Sequence, residues 1–319
     1  MTRKTAVALF LLFAGLVFVA SPVRADVTIT YKTSIKSAPI LPPEVQTQLA
    51  NTVEQPHTMY FKGSRSASIS RGITSIADLS TKTTIMIDPA KKKYATGGTE
   101  DVQQAMVNIV PKVSGDTLAA LQNITSTFES KVTGRMQTIG GIEAEEHRLT
   151  LTMINGNQGG VNGLERPGEM MRMVMEVWTP VPGQSAHITA LAEVERFNAL
   201  HGTAMNPATM IHQVFPAYGD MGKTYESLAK ALDGKGVILR MHLSMYVPLL
   251  ADIAKAFETA GRPVPSFDPK GPMTEITMEL SGLSTAPVQD SVFEIPAGFE
   301  QTTLEEIIKS QIPQMAGAK

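Results

Sequence analysis

The chain has 319 residues, with 28 basic against 30 acidic side chains and no cysteine, which excludes disulfides, thiolate metal sites and cysteine nucleophiles. A slightly acidic balance argues against nucleic acid or an anionic membrane surface as partner, because both need clustered positive charge. A chain of this length can bury a sizeable core, as one large β-rich domain or as two smaller ones.

The first residues read as a secretory signal peptide. Arg3 and Lys4 form a basic start, and Ala6 to Ala20 form an apolar run that Ser21 and Pro22 end short of the ~20 residues a membrane span needs. Val23-Arg24-Ala25 offers small residues where a signal peptidase reads, so cleavage is expected after Ala25. The rival, an uncleaved N-terminal anchor, would also leave the body outside the cytoplasm. Residues 26–319 are therefore expected in the periplasm as a single β-rich domain, stabilised by its core alone.

Period-two alternation dominates the next stretch. Val27, Ile29 and Tyr31 alternate with Thr28, Thr30 and Lys32, the pattern of a strand buried on one face. Pro42 and Pro43 break the first connection, with a short helix expected through Glu44 to Ala50. Met59 to Phe61, Ser66 to Ser70, Ile73 to Leu79 and Thr83 to Asp88 follow between tight turns and read as an antiparallel meander. Leu118, Leu121, Ile124 and Phe128 recur at helical spacing after a cap at Ser114 or Asp116, so a helix is expected there.

Strands are expected at Lys131 to Ile139 and Ile142 to Ile154, joined by Gly140-Gly141, then a glycine-rich hairpin loop at 156–168. Met170 to Thr179 returns to strand, with Met171, Met173, Met175 and Val177 on one face and Arg172, Glu176 and Trp178 on the other. Residues 187–233 carry helical stripes, at Leu191, Val194 and Phe197 and again at Tyr225, Leu228 and Leu232. Gly236 to Tyr246 is a strand pattern whose Val237, Leu239, Met241, Leu243 and Met245 share a face. Pro248 opens a helix with Leu250, Ile253, Ala254 and Phe257, stopped by Gly261 and Pro263. Strands at Thr274 to Leu283 and Val292 to Ile295 precede a helix capped by Thr303, with Glu306 three residues on.

No catalytic motif stands out. The six histidines, His57, His147, His187, His201, His212 and His242, form no pair at i,i+4 and read as surface or partner-bonded residues. Ser227 and Lys230 match the SxxK pattern of serine acyl-enzymes, but neither SDN nor KTG accompanies it and a helical apolar stripe accounts for the segment. Gly222-Lys223-Thr224 resembles the end of a phosphate loop, but Ala217 stands where that motif needs glycine. Glu143, Glu145, Asp78 and Asp88 read as solvated strand-face or turn residues. The methionine rows are more telling, because methionine is unbranched and polarizable and lines adaptable apolar surfaces. An ordinary packed core is the plain alternative; Cu(I) binding fits poorly, since copper sites favour flexible MxxM tails.

Several short landmarks stand in a consistent order: Lys62-Gly63-Ser64-Arg65, Ile87-Asp88-Pro89 with Lys93-Tyr94, Ile139 to Glu146, Glu176 to Thr179, and Val292 to Phe299. Their order resembles an uncharacterised bacterial envelope family similar to the lipoprotein carriers LolA and LolB and the sensor RseB. The resemblance implies an α+β fold, a strongly curved antiparallel β-sheet forming an incomplete barrel, with helices packed in the concave face. The long helical insertions at about 185–235 and 248–260 depart from the short carriers and could fill or cap that concavity.

The expected function is non-enzymatic binding of an apolar small molecule, a lipid or a lipoprotein acyl chain, in a sheet–helix cavity. Met171, Met173, Met175, Leu239, Met241, Leu243 and Met245 are expected to line it, with Trp178 near a rim. No cofactor and no metal is expected. The alternative is an interaction or sensor module with a filled core and an envelope protein as partner; a hydrolase stands third.

Overall fold

The computed structural model describes residues 25–38, 56–70, 72–109, 124–155, 168–184, 188–201, 236–248, 268 and 270–311, with isolated positions at 47, 227, 230, 231 and 259. The expected signal peptide up to residue 24, nearly all of the helix at 44–50, Leu118 and Leu121, the glycine-rich loop at 156–167, most of the helical insertion beyond His201 and nearly all of the helix after Pro248 lie outside the described residues.

Twelve strands form one sheet. They are β1 (Val27–Ser37), β2 (His57–Lys62), β3 (Arg65–Ser70), β4 (Ile73–Asp78), β5 (Thr83–Asp88), β6 (Lys93–Gly98), β7 (Ile124–Ile139), β8 (Ile142–Asn155), β9 (Gly168–Pro180), β10 (Arg240–Tyr246), β11 (Thr274–Ser284) and β12 (Glu300–Gln301). Their order is β12-β6-β5-β4-β3-β2-β1-β11-β10-β9-β8-β7, so the sheet is not closed. Every pairing is antiparallel except that of β12 with β6. The alternation read in β1 sets its orientation: Val27, Ile29 and Tyr31 are fully buried on one face. The two-residue turn between β7 and β8 needs left-handed backbone at both positions, which Gly140 and Gly141 supply at φ of 58° and 81°.

Among the described residues, three helices pack on that buried face. Helix α1 (Thr99–Ile109) and helix α3 (Leu304–Gln311) pack Ala105, Leu304, Ile307 and Ile308 against Ile73 and Ala95. Helix α2 (Thr189–His201) packs Leu191, Val194 and Phe197 into the larger cluster around β1 and β8–β11, and its Phe197 ring meets Phe61 edge-on at 5.0 Å. One cross-strand line, Met59–Ser68–Ser75–Met86–Ala95, connects the two clusters and places them on the same side of the sheet. On the other side of β2–β6, Val288 and Phe293 cover Ala67, Ile76 and Ile87. The buried Tyr31 hydroxyl donates to the Ile238 carbonyl at 2.9 Å, and burial pushes its phenol pKa well up.

Some expectations need correction. Ile124 and Phe128 belong to β7, not to a helix, because strand pairing with β8 runs back to Asn155. Val292 to Ile295 is not a strand: a 3-10 turn at Asp290–Phe293 docks Phe293 into the sheet instead. The β10 ladder starts at Arg240, although Leu239 still donates to Trp178 and accepts from Leu280. β6 and α1 are elements not expected from the sequence. At α3 the expected cap is present, with the Glu306 amide donating to Thr303 Oγ1 at 3.2 Å.

Charge pairs hold this C-terminal segment to the meander. Hydrogen bonds from Arg65 and Lys62 hold the Asp290 carboxyl below its usual range, and Lys93 does the same to Glu306. A carboxylate lowered in the folded state contributes stability above its ordinary pKa and loses it as pH falls through the lowered value. Stability from these pairs should therefore begin to fade near pH 4.5 and 3.8 and be gone below the lowered values. The check is the urea midpoint of Asp290→Asn/Glu306→Gln against wild type. The gap should hold at neutral pH and narrow as pH falls through 4.5 and 3.8, and a gap independent of pH would refute the assignment.

Candidate functional site

The methionine-rich face is built by register. Side chains alternate along each strand, so directly opposed residues share a face and pack as cross-strand neighbours. Phe128, Leu151, Met173 and Met245 form one line across β7–β8–β9–β10. Leu149, Met175, Leu243 and Ile276 form the next, and His147, Val177, Met241 and Met278 the third. Met153 opposite Met171 begins a fourth. Seven of the eight residues singled out from sequence therefore share one apolar surface, on the side that carries α2.

Burial grades along this surface. Met173, Met175, Leu239, Met241 and Leu243 are buried, whereas Met171, Met245, Phe128 and Ile276 are only partly so. The surface is thus buried at its centre and partly exposed at Met171 and Met245, while Met153, paired with Met171, is still buried. Apolar, conformable side chains with no fixed donors or acceptors select a ligand by shape and hydrophobicity.

Trp178 does not share a face with this row, although it belongs to the same core cluster. It points to the opposite face, directly across from Glu146 on β8, and it is buried there. A bulge in β7 between Val132 and Met136 accounts for this second centre. Gly134 adopts φ of 77° inside the bulge and re-aims its neighbours. Thr133 and Arg135 both turn toward the Glu146 carboxylate, at 2.6 Å and 2.8 Å, and the Arg135 guanidinium lies over the Trp178 ring at 5.5 Å. Further ion pairs continue outward: Arg148 with Glu176, and Arg240 with Glu279. Glu146 is 0% exposed while Arg135 is 59% exposed. Sequence reasoning missed this centre; its one legible signal is a glycine inside a strand pattern.

The remaining singled-out residues are placed as follows. His57 Nε2 lies 2.8 Å from Ser68 Oγ, and His242 Nδ1 lies 2.8 Å from Thr277 Oγ1 on the face opposite Met241. His147 is buried in the third apolar line, with Nε2 3.2 Å from Glu145 Oε1. Ser227 and Lys230 are both exposed. Asp88 is a correction: it is buried, accepting from the Lys91 amide at 3.1 Å and the Ser310 hydroxyl at 3.2 Å, and so ties the β5–β6 turn to α3. Asp78 accepts from the Ser80 and Ser64 hydroxyls, and the Ser80 bond first among them holds its carboxyl below the usual range. No helix among the described residues is long and apolar enough to cross a membrane. No protein-family model matches the chain, and no curated protein is significantly similar to it in sequence.

Proposed function

We propose that this is a non-enzymatic, exported protein that holds an apolar ligand, a lipid or a lipoprotein acyl chain, against the methionine-rich face of its sheet. The observation that carries the reading is the methionine-rich surface: three cross-strand lines rich in methionine and leucine, buried at the centre and partly exposed at Met171 and Met245. An acyl chain entering at that border would lie along conformable side chains. The cleavable signal after Ala25, the periplasmic location and the kinship to LolA-like carriers belong to the same proposal.

Native mass spectrometry of gently purified protein, followed by lipid extraction, tests it. A stoichiometric lipid is expected, and Met171→Gln combined with Met245→Gln should weaken uptake of added fatty acid by roughly tenfold. The pair sits at the border, so its folding should be little changed. One observation favours the alternative, an interaction or sensor module with a filled core and an envelope protein as partner. Met173, Met175 and Leu239 are only 2%, 4% and 0% exposed, already enclosed by protein. A clean apo mass with no uptake of added lipid would select that alternative.

A further inference from the structure

The two ends of the sheet are finished differently. At one end, β6 is covered by the two-residue β12 and by α3, which buries Leu304 and Ile307 against it. At the other end, β7 runs from Ile124 to Ile139 and, among the described residues, its paired neighbour in the sheet is β8 alone. Long open edges carry rows of unpaired backbone groups and template further pairing; bulges, charges and short strands blunt them. The bulge between Val132 and Met136 interrupts the far half of β7. Its near half, up to Val132, is regular.

Direction of the backbone groups follows from the hairpin. The Ile139–Ile142 pair closes a two-residue turn, and Glu143, next along β8, sends its amide to Gln184 and its carbonyl to Val181, away from β7. Alternation from there makes Arg148, opposite Lys131, bond toward β7. Phe128, Ser130 and Val132 therefore turn their own N–H and C=O groups outward. Val132 is 56% exposed, and Glu129, Ser130 and Lys131 are exposed too. Neighbouring charges on the Glu129–Lys131 face, Arg135, Arg148 and Glu176, are engaged in ion pairs within the chain. Among the described residues, no ion pair reaches Glu129 or Lys131.

We propose that two copies of this chain associate by pairing β7 with β7 antiparallel about a twofold axis at Ser130. That register opposes each outward-facing residue to another outward-facing one. It sets Phe128 against Val132 on the helix-bearing face, and Glu129 against Lys131 on the other, each pair occurring twice. Shifting the axis by one residue would oppose Glu129 to Glu129 or Lys131 to Lys131, and placing it between two residues would mismatch the backbone groups. Moving it to Val132 would run the pairing into the bulge. Opposite charges facing each other stabilise a strand pair and like charges destabilise it, so the sequence of β7 is complementary to itself in this register.

Analytical ultracentrifugation of the full mature chain across a concentration series tests the pairing. A reversible monomer–dimer equilibrium is expected. Ser130→Pro removes an outward N–H, which an edge strand tolerates, and should leave a folded monomer. Glu129→Lys should raise the dimer dissociation constant roughly tenfold, and adding Lys131→Glu should restore it. Three results would each overturn the proposal: a monomer at every concentration, a dimer unaffected by Ser130→Pro, or a charge reversal that the second substitution does not rescue.

Discussion

Replacing Arg135 by alanine is expected to destabilise the protein by about 3 kcal/mol, more than any other single change to its surface charges. The reason is the asymmetry of the pair. Glu146 has no exposed surface, so its carboxylate cannot fall back on bulk water when the guanidinium is removed; Thr133 alone would remain. Breaking a buried pair from one side costs about 3–5 kcal/mol, and the lower end applies because water can enter where the half-exposed Arg135 stood. Glu146→Gln should cost only about 1 kcal/mol, since the amide still accepts from Thr133 and leaves no charge buried. Urea unfolding followed by the fluorescence of Trp178, the chain's only tryptophan, reads both. Equal losses for the two variants would mean that the bulge, not the charge pair, holds Trp178 in place.

The second large effect concerns the methionine face. Met173→Asp should cost more than about 5 kcal/mol, the sum of a lost apolar contact and a carboxylate stranded among Leu151, Met175 and Met245. Marginal stabilities of domains are of that size, so the variant is expected not to fold, as judged by loss of near-ultraviolet dichroism. Met171→Asp, on the partly exposed border two residues away, should fold with a loss of about 1 kcal/mol. Near-native behaviour of Met173→Asp would instead mean that this centre admits water or ligand, and would strengthen the carrier reading.

What was legible in the sequence is what period and burial encode together. β1 alternates because one face is core and the other is not, and β8 and β9 do so along the stretch that carries Leu149, Leu151, Met173 and Met175; their placement follows from that pattern. Ile124 and Phe128 misled because a spacing of four fits both a helix turn and every second residue of a strand. The segment Val292 to Ile295 has the β-branched and aromatic composition of a strand, but its shape is set by docking of Phe293 against Ala67 and Ile76, which are far away in the chain. α1 escaped notice because it follows two glycines and presents only a weak apolar stripe at Val102, Ala105 and Ile109. The methionine row was read correctly as one face. The Glu146–Arg135–Trp178 centre was not, since a bulge depends on how two strands meet and leaves only Gly134 as its trace.

The position of β1 has a consequence for how the molecule assembles. It is the first strand made, yet it lies in the middle of the sheet, and Thr28 faces Ser284, about 250 residues later. Closing so long a loop is slow, and the contacts that repay it form only once the C-terminal strands exist. Most of β1's pairing, from Thr28 to Ser37, therefore waits until β11 has been made.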